Sequence, residues 1–285
     1  MEHRFPRTEV EGLSLSRMII GTNWIGGWSH RSPAADAMIK AKHSEPEAIK
    51  PMLKTFMAYG VDTIMAPFDG LPALTRAVHE TEDELGKGMI LVDTPIINVD
   101  DNENARREAM EKIGKSRALG AKLCLIHHSS AEQLVNKNLK QLVRLDDYTK
   151  MIRDAELIPG LSAHMPELIV YSDLNGYDIQ TYIQIYNCMG FLMQVEVETV
   201  NQIIHDAKKP VMTIKPMAAG RTTPFVGLNF SWATIRDCDM VTVGCFNENE
   251  AREDIEISLA ALEHRRANIE KRASPNAHQD AFGKR

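Results

Sequence analysis

Two adjacent histidines, His127 and His128, close the apolar run KLCLIHH at residues 122–128. An imidazole titrates near neutrality, donates a hydrogen bond to a developing oxyanion, or ligates a metal. The run before them reads as a short buried strand, so the two rings should point to opposite sides of it. His127 is therefore the candidate for a site, and His128 is expected to face a layer of helices. Other apolar runs end in polar groups too: Asp62 and Asp93, His164, Gln184 and Asn187, and Lys215. Two carboxylates in one pocket separate in pKa and supply an acid and a base. With His127 and His164 they also offer oxygen and nitrogen ligands to a divalent metal, although no short metal motif is present. Lys215, in TIKPM, ends an apolar strand, where an unpaired charge is costly. It is expected to pair with a carboxylate or to reach an open mouth. There it could bind an anion, lower a neighbour's pKa or form a Schiff base. Trp24 offers a flat face to a sugar ring or a nicotinamide.

Such residues need a scaffold that brings strand ends together. Short apolar strands alternate with amphipathic stretches along the whole chain. The strands are SRMIIGTNW, VDTIMAP, GMILVDTPI, AKLCLIHH, IPGLSAH, TYIQIYN, PVMTIKPM and DMVTVGC. They show little in–out alternation, as strands buried on both faces do. Between them lie helical segments such as SEPEAIKPMLKTFMAYG, with Ser44 as the expected N-cap and Gly60 as the stop. One long helical region is expected from Ser130 to about Leu157. Strand–helix units in this number predict an α/β fold, a single (β/α)8 TIM barrel over residues 1–270. The first residues, MEHRFPRTEVEGLSLSR, predict a short N-terminal hairpin under the barrel. Residues 271–285 read as a polar C-terminal tail without periodicity. In a barrel of this kind, active sites sit at the C-terminal ends of the strands. That is why the residues ending the runs are the candidates.

The bulk properties narrow the partners. The net charge is −6, so no basic field favours nucleic acid or anionic membranes. No apolar run approaches the ~18 residues that span a bilayer. The N-terminal stretch lacks a signal-peptide core, and the four cysteines have no CxxC spacing. The expectation is a cytoplasmic protein with reduced thiols and a small-molecule substrate, with assembly into a homo-oligomer left open.

Several stretches resemble the aldo/keto reductase superfamily. LSLSRMIIGTNWIGG is similar to the family's opening strand, and YGVDTI to the strand-two motif that carries a catalytic aspartate, here Asp62. LCLIHHSS resembles the strand-four motif whose histidine orients the substrate carbonyl, here His127. IPGLSAHMPELI and TIKPMAAGR resemble the fifth and seventh strands of the family's bacterial oxidoreductase-like branch. VTVGCFNENEAREDIEISL is similar to the closing unit, which holds the phosphate of the nicotinamide cofactor. The resemblance implies NADP(H) as cofactor, with Arg221 and Arg252 in regions that approach it. It also implies an Asp–Tyr–Lys–His tetrad, of which two members are missing. Pro67 stands where the tyrosine belongs, and VDTPI supplies Asp93 and Pro95 where a lysine belongs. Ile214 or Lys215 replaces the tyrosine that stacks on nicotinamide.

Two enzyme readings follow. One is a reductase-type enzyme on a small carbonyl or sugar-like substrate, working through a non-standard acid/base site. The other is a non-redox lyase, isomerase or hydrolase on the same barrel, with a divalent metal as the alternative cofactor. The family-like closing unit tilts the balance to the first. A binding protein without catalysis is disfavoured by the crowding of polar groups at the strand ends.

Overall fold

The computed structural model describes residues 4–269. Strands β1 (Arg7–Val10) and β2 (Leu13–Ser16) form an antiparallel hairpin. Its two-residue turn has Glu11 at φ 50° and Gly12 at φ 80°. Left-handed angles at both positions match the twist of the flanking strands. A glutamate is costly there, and Arg153 grips its carboxylate through two hydrogen bonds of 2.6 and 2.7 Å. Val10 and Leu15 are buried with Ile19, Met212 and Met240, so the hairpin plugs the bottom of the barrel interior.

The barrel opens with β3 (Met18–Gly21), followed by helix α1 (Asn23–Gly26), α2 (Pro33–Lys42) and α3 (Pro46–Ala58). Then come β4 (Thr63–Ala66), α4 (Pro72–Leu85), β5 (Ile90–Asp93), α5 (Glu103–Ala118) and β6 (Leu123–Ile126). Helix α6 (His128–Ala131), a small hairpin of β7 (Val135–Asn136) and β8 (Gln141–Leu142), and α7 (Leu145–Asp154) lead to β9 (Ile158–Ala163). The chain continues through α8 (Glu167–Asn175), β10 (Thr181–Ile185), α9 (Val197–Asp206), β11 (Val211–Ile214), α10 (Pro224–Thr234), β12 (Met240–Gly244) and α11 (Glu248–Leu262). The parallel strands close in the order β3-β4-β5-β6-β9-β10-β11-β12, and β12 pairs back onto β3 with Gly244 beside Gly21. This is the expected (β/α)8 barrel with its N-terminal hairpin. No described helix is long and apolar enough to cross a membrane. The polar tail lies outside the described residues.

Two local expectations are corrected, and one helix is added to them. Ser44 is not the cap of α3; Glu45 takes the N-cap position with extended backbone, and Ser44 donates back to the Ala41 carbonyl at 3.3 Å. An additional helix, α2, precedes it, with Ser32 accepting from the Ala35 amide at the N-cap and Pro33 opening the first turn. Residues 130–157 are not one helix. Asn136 Oδ1 accepts from the Leu139 amide at 3.1 Å, and Lys140 and Arg144 adopt positive φ of 52° and 62°. The polar sequence NKNLK thus makes a turn, and the helix that follows begins afresh at Leu145.

Inside the barrel, Gly160 on β9 lies beside Leu125 on β6. A Cβ on Gly160 would come within 2.5 Å of Leu125 Cγ and 2.9 Å of the Thr181 carbonyl oxygen. A leucine on one strand fills the space left open on its neighbour. Gly160→Ala is therefore expected to cost about 1–3 kcal/mol through overpacking. Urea denaturation should show a lower midpoint with an unchanged slope.

Candidate active site

A cavity of about 730 Å³ opens at the C-terminal ends of the strands. This is the expected end of the barrel, and the volume lies within the range of small-ligand sites. Four histidines line it: His30, and a cluster of His127, His128 and His164 whose rings lie against one another.

Strand alternation brings His127 and His164 inward. Leu125 packs in the barrel interior and Ile126 packs against the helices, so His127 turns inward again. Likewise Ala163 packs outward, and His164 follows it into the mouth. His127 Nδ1 accepts from the Ser129 amide at 3.3 Å and lies 2.7 Å from Ser129 Oγ. The remaining proton therefore sits on Nε2, and His127 offers an N–H donor. His128 was expected to face the helices, but it lines the cavity. The strand has ended before it, and His128 is already the first residue of α6. Its ring centroid lies 4.2 Å from that of His127 and 3.8 Å from that of His164, nearly parallel to the latter. Burial is the main cause that lowers the pKa of all three, and the nearby Lys215 lowers each further. His127 is pushed down to about 4 and His164 to about 3. Near neutral pH the rings are uncharged.

Lys215 follows β11 and faces the same cavity. Alternation alone would send it outward, because Met212 and Ile214 point in. A left-handed backbone, φ 62°, reverses it into the mouth. That conformation is costly for a lysine. Among the described residues its ammonium has no hydrogen bond and no ion pair. Burial lowers its pKa to about 8, with no carboxylate to oppose the shift.

The opposite wall differs. Met65, Pro67 and Thr94 line it without a titratable group. Near α11 the cavity meets Glu250, Glu253 and Asp254. Trp24 also lines the mouth, edge-on to Phe246, with the Arg31 guanidinium 5.9 Å from its ring centroid.

Other expected site residues lie elsewhere. Asp62 does not reach the mouth. It precedes the first residue of β4, at the floor, where Oδ2 accepts from Arg7 at 2.8 Å. Met65 occupies the cavity end of that strand. Asp93 ends β5 as expected but points outward. It is buried against α5, accepting from Ser116 Oγ at 2.5 Å and from the Phe68 amide at 3.1 Å. Burial raises its pKa. Asp62 and Asp93 thus form no acid–base pair and share no metal with His127. Gln184 is fully buried on the outer face of β10, where its amide donates to the His164 and Ile185 carbonyls. Asn187 is also fully buried; it ties its own loop together through the Met189 and Phe191 amides and the Phe191 carbonyl. Arg221 stacks on Phe191, 3.8 Å from the ring centroid, and donates to the Ala218 carbonyl. Arg252 donates to Asn249 on its own helix. Neither arginine lines the cavity.

Glu132 escaped the sequence reading because it lay inside the supposed long helix. Its Oε1 accepts from the backbone amides of His164 and Met165 at 2.6 and 2.9 Å, tying the end of β9 to the segment after α6. Its spacing of four from His128 was the available signal.

No protein-family model matches the chain, and no curated protein is recognisably similar to it in sequence. Solved structures resemble it in fold. A provisionally named aldo-keto reductase from Pseudomonas aeruginosa is 15% identical with a TM-score of 0.64, over 92% of this chain and 97% of that one. A glycerol dehydrogenase from Gluconobacter oxydans is 12% identical with a TM-score of 0.59, over 94% and 98%. An aldose reductase from Giardia lamblia is 10% identical with a TM-score of 0.52, over 93% and 95%. The chain folds as an aldo-keto reductase-like barrel.

The floor position of Asp62 has a direct consequence. Asp62→Asn removes a partly exposed ion pair and should cost no more than about 1 kcal/mol in a denaturation curve. Ligand binding and turnover should match the parent protein.

Proposed function

We propose that the chain is an aldo-keto reductase-like barrel enzyme acting on a small carbonyl or sugar-like substrate through a non-standard acid/base site. The observation that carries this reading is Lys215, a half-buried ammonium without a partner among the described residues, turned into the cavity by a left-handed backbone. Burying a charge without a partner costs stability, and such a cost is retained where a ligand supplies the partner. A carbonyl oxygen that gains negative charge during reaction is such a partner. His127 adds a neutral N–H donor at the end of β6, in the same cavity. With a pKa of about 4 it serves as a hydrogen-bond donor rather than as a charged acid. Lys215, at about 8, is the group in the mouth able to release or take up a proton near neutrality. Trp24 and Trp28 provide flat apolar surfaces against which a sugar-like skeleton can rest.

The residues at the start of α11 do not fit the phosphates of NADP(H). Asn247 Oδ1 already accepts the Asn249 and Glu250 amides at the start of α11. Glu250 and Glu253 line the cavity there, while Arg221 and Arg252 are engaged elsewhere. Phosphate would meet carboxylates where the family resemblance calls for cations. The reading these carboxylates favour is proton transfer next to a carbonyl, as in an isomerase or lyase, without hydride transfer.

Lys215→Met tests the assignment. Turnover of an identified substrate should fall about 10²–10³-fold, the usual loss for one oxyanion donor. The same variant should be more stable than the parent. The folded-state pKa of Lys215 lies below its unfolded value, so the unfolded chain binds more protons between about pH 8 and 10.5. The stabilisation by Lys215→Met is therefore full below pH 8 and fades as pH rises through that window. A variant that keeps turnover and gains no stability would remove Lys215 from the site. The emission of Trp24 and Trp28 reports on the cavity directly. Titration with NADPH to about millimolar concentration, the upper end of common substrate affinities, should give no saturable change. A saturable change that Glu253→Lys strengthens would restore the hydride-transfer reading.

A further inference from the structure

We infer that His128, Glu132 and His164 form a binding site for one divalent first-row transition-metal ion of the zinc class, at the rim of the cavity. An imidazole nitrogen from each histidine and a carboxylate oxygen of Glu132 lie within 4.8 Å of one another. Two separate pieces of chain supply them. His128 and Glu132 stand four residues apart across α6 and the turn after it, and so share one face. His164 arrives from the end of β9.

Their other contacts leave ligand atoms available. Oε1 of Glu132 is held by the amides of His164 and Met165. This is the outer hydrogen bonding that orients a ligating carboxylate. Oε2 has no hydrogen bond among the described residues. The ring nitrogens of His128 and His164 likewise have none among the described residues. Glu132 thus keeps one unpartnered oxygen and each histidine its ring nitrogens, in a cluster whose three ligand atoms lie within 4.8 Å of one another.

The donor set names the class of ion. Two nitrogens and one carboxylate oxygen suit zinc, cobalt(II) or iron(II), and not calcium or magnesium, which take oxygen shells. Bond lengths of about 2.0–2.2 Å require the three atoms to close somewhat from their present separation. Rotation of the His128 and His164 side chains, which border open cavity, supplies that movement. Three protein ligands leave a coordination position open, and all of this lies in the same mouth as Lys215. A bound ion would polarise an oxygen of whatever occupies it.

Binding is measured without reference to turnover, so this site and the Lys215 assignment stand or fall separately. Full-length protein is stripped with chelator and titrated calorimetrically with zinc chloride. Cobalt chloride is followed by visible absorption. One equivalent of zinc should bind, and cobalt should give the strong visible bands of a four- or five-coordinate site. Glu132→Gln retains an oxygen for the two backbone amides, so the local fold is kept. It and His164→Ala should each weaken zinc binding more than about 100-fold, beyond the 10–100-fold loss typical of an outer-shell partner. His205→Ala, at an exposed histidine bonded to the Thr234 carbonyl, should leave binding unchanged. Should His164→Ala fail to fold, His128→Ala provides the same reading. Absence of binding at millimolar zinc overturns the inference, as does binding that survives both Glu132→Gln and loss of either histidine.

Discussion

Closure of the barrel controls everything else in this molecule. Each of its strands hydrogen-bonds to a neighbour on both sides, and β12 returns to β3, so no edge is left open. Both faces of every strand are then buried, one against the interior and one against helices. Polar side chains are costly on either face unless they are bonded locally, as Asp93 is to Ser116 and the Phe68 amide. What remains for chemistry is the short stretch where each strand ends and the backbone turns. The interior beneath is filled with apolar side chains, down to Val10 and Leu15 of the floor hairpin. A ligand can therefore approach the strand ends from only one side.

The same constraint explains the electrostatics of the mouth. A cavity walled by apolar side chains penalises charge, and its polar groups respond according to their chemistry. The imidazoles lose their protons and stack as neutral rings. Lys215, whose solution pKa is far higher, keeps much of its charge at neutral pH and has no partner to stabilise it. The wall formed by Met65, Pro67 and Thr94 brings no group to balance it. The acidic residues of α11 lie along the cavity. The likeness to aldo-keto reductase structures belongs to the framework, at 10–15% identity. The chemistry belongs to the side chains at the rim.

The sequence was informative wherever a regular period governed the side chains. Buried strands, the helix stop at Gly60, and the inward turn of His127 and His164 all follow from local patterns. Errors arose where the period stopped. Asp62 lies only one residue outside a four-residue strand, yet that strand separates floor from mouth. Reading the aspartate as the end of a motif placed it at the wrong end of the barrel. Asp93 ends its strand as expected, but Val92 is the residue that points inward, and a terminal position alone does not specify the face. Lys215 shows the converse. Its presence in the cavity depends on a single backbone angle that residue type does not encode.

The segment between β6 and β9 was the least legible and matters most for the rim. A continuous helix from Ser130 would carry His128 and Glu132 away along the outside of the barrel. Instead α6 is a single turn, and the hairpin of β7 and β8 lets the chain leave in a new direction. The short helix stays pressed against the end of β9, where Glu132 caps the amides of His164 and Met165. That cap holds Glu132 near His164, four residues beyond His128. The convergence of the two histidines and the glutamate is thus a product of helix interruption. It depends on the polar turn around Asn136 and Lys140, which contains none of the three residues it brings together.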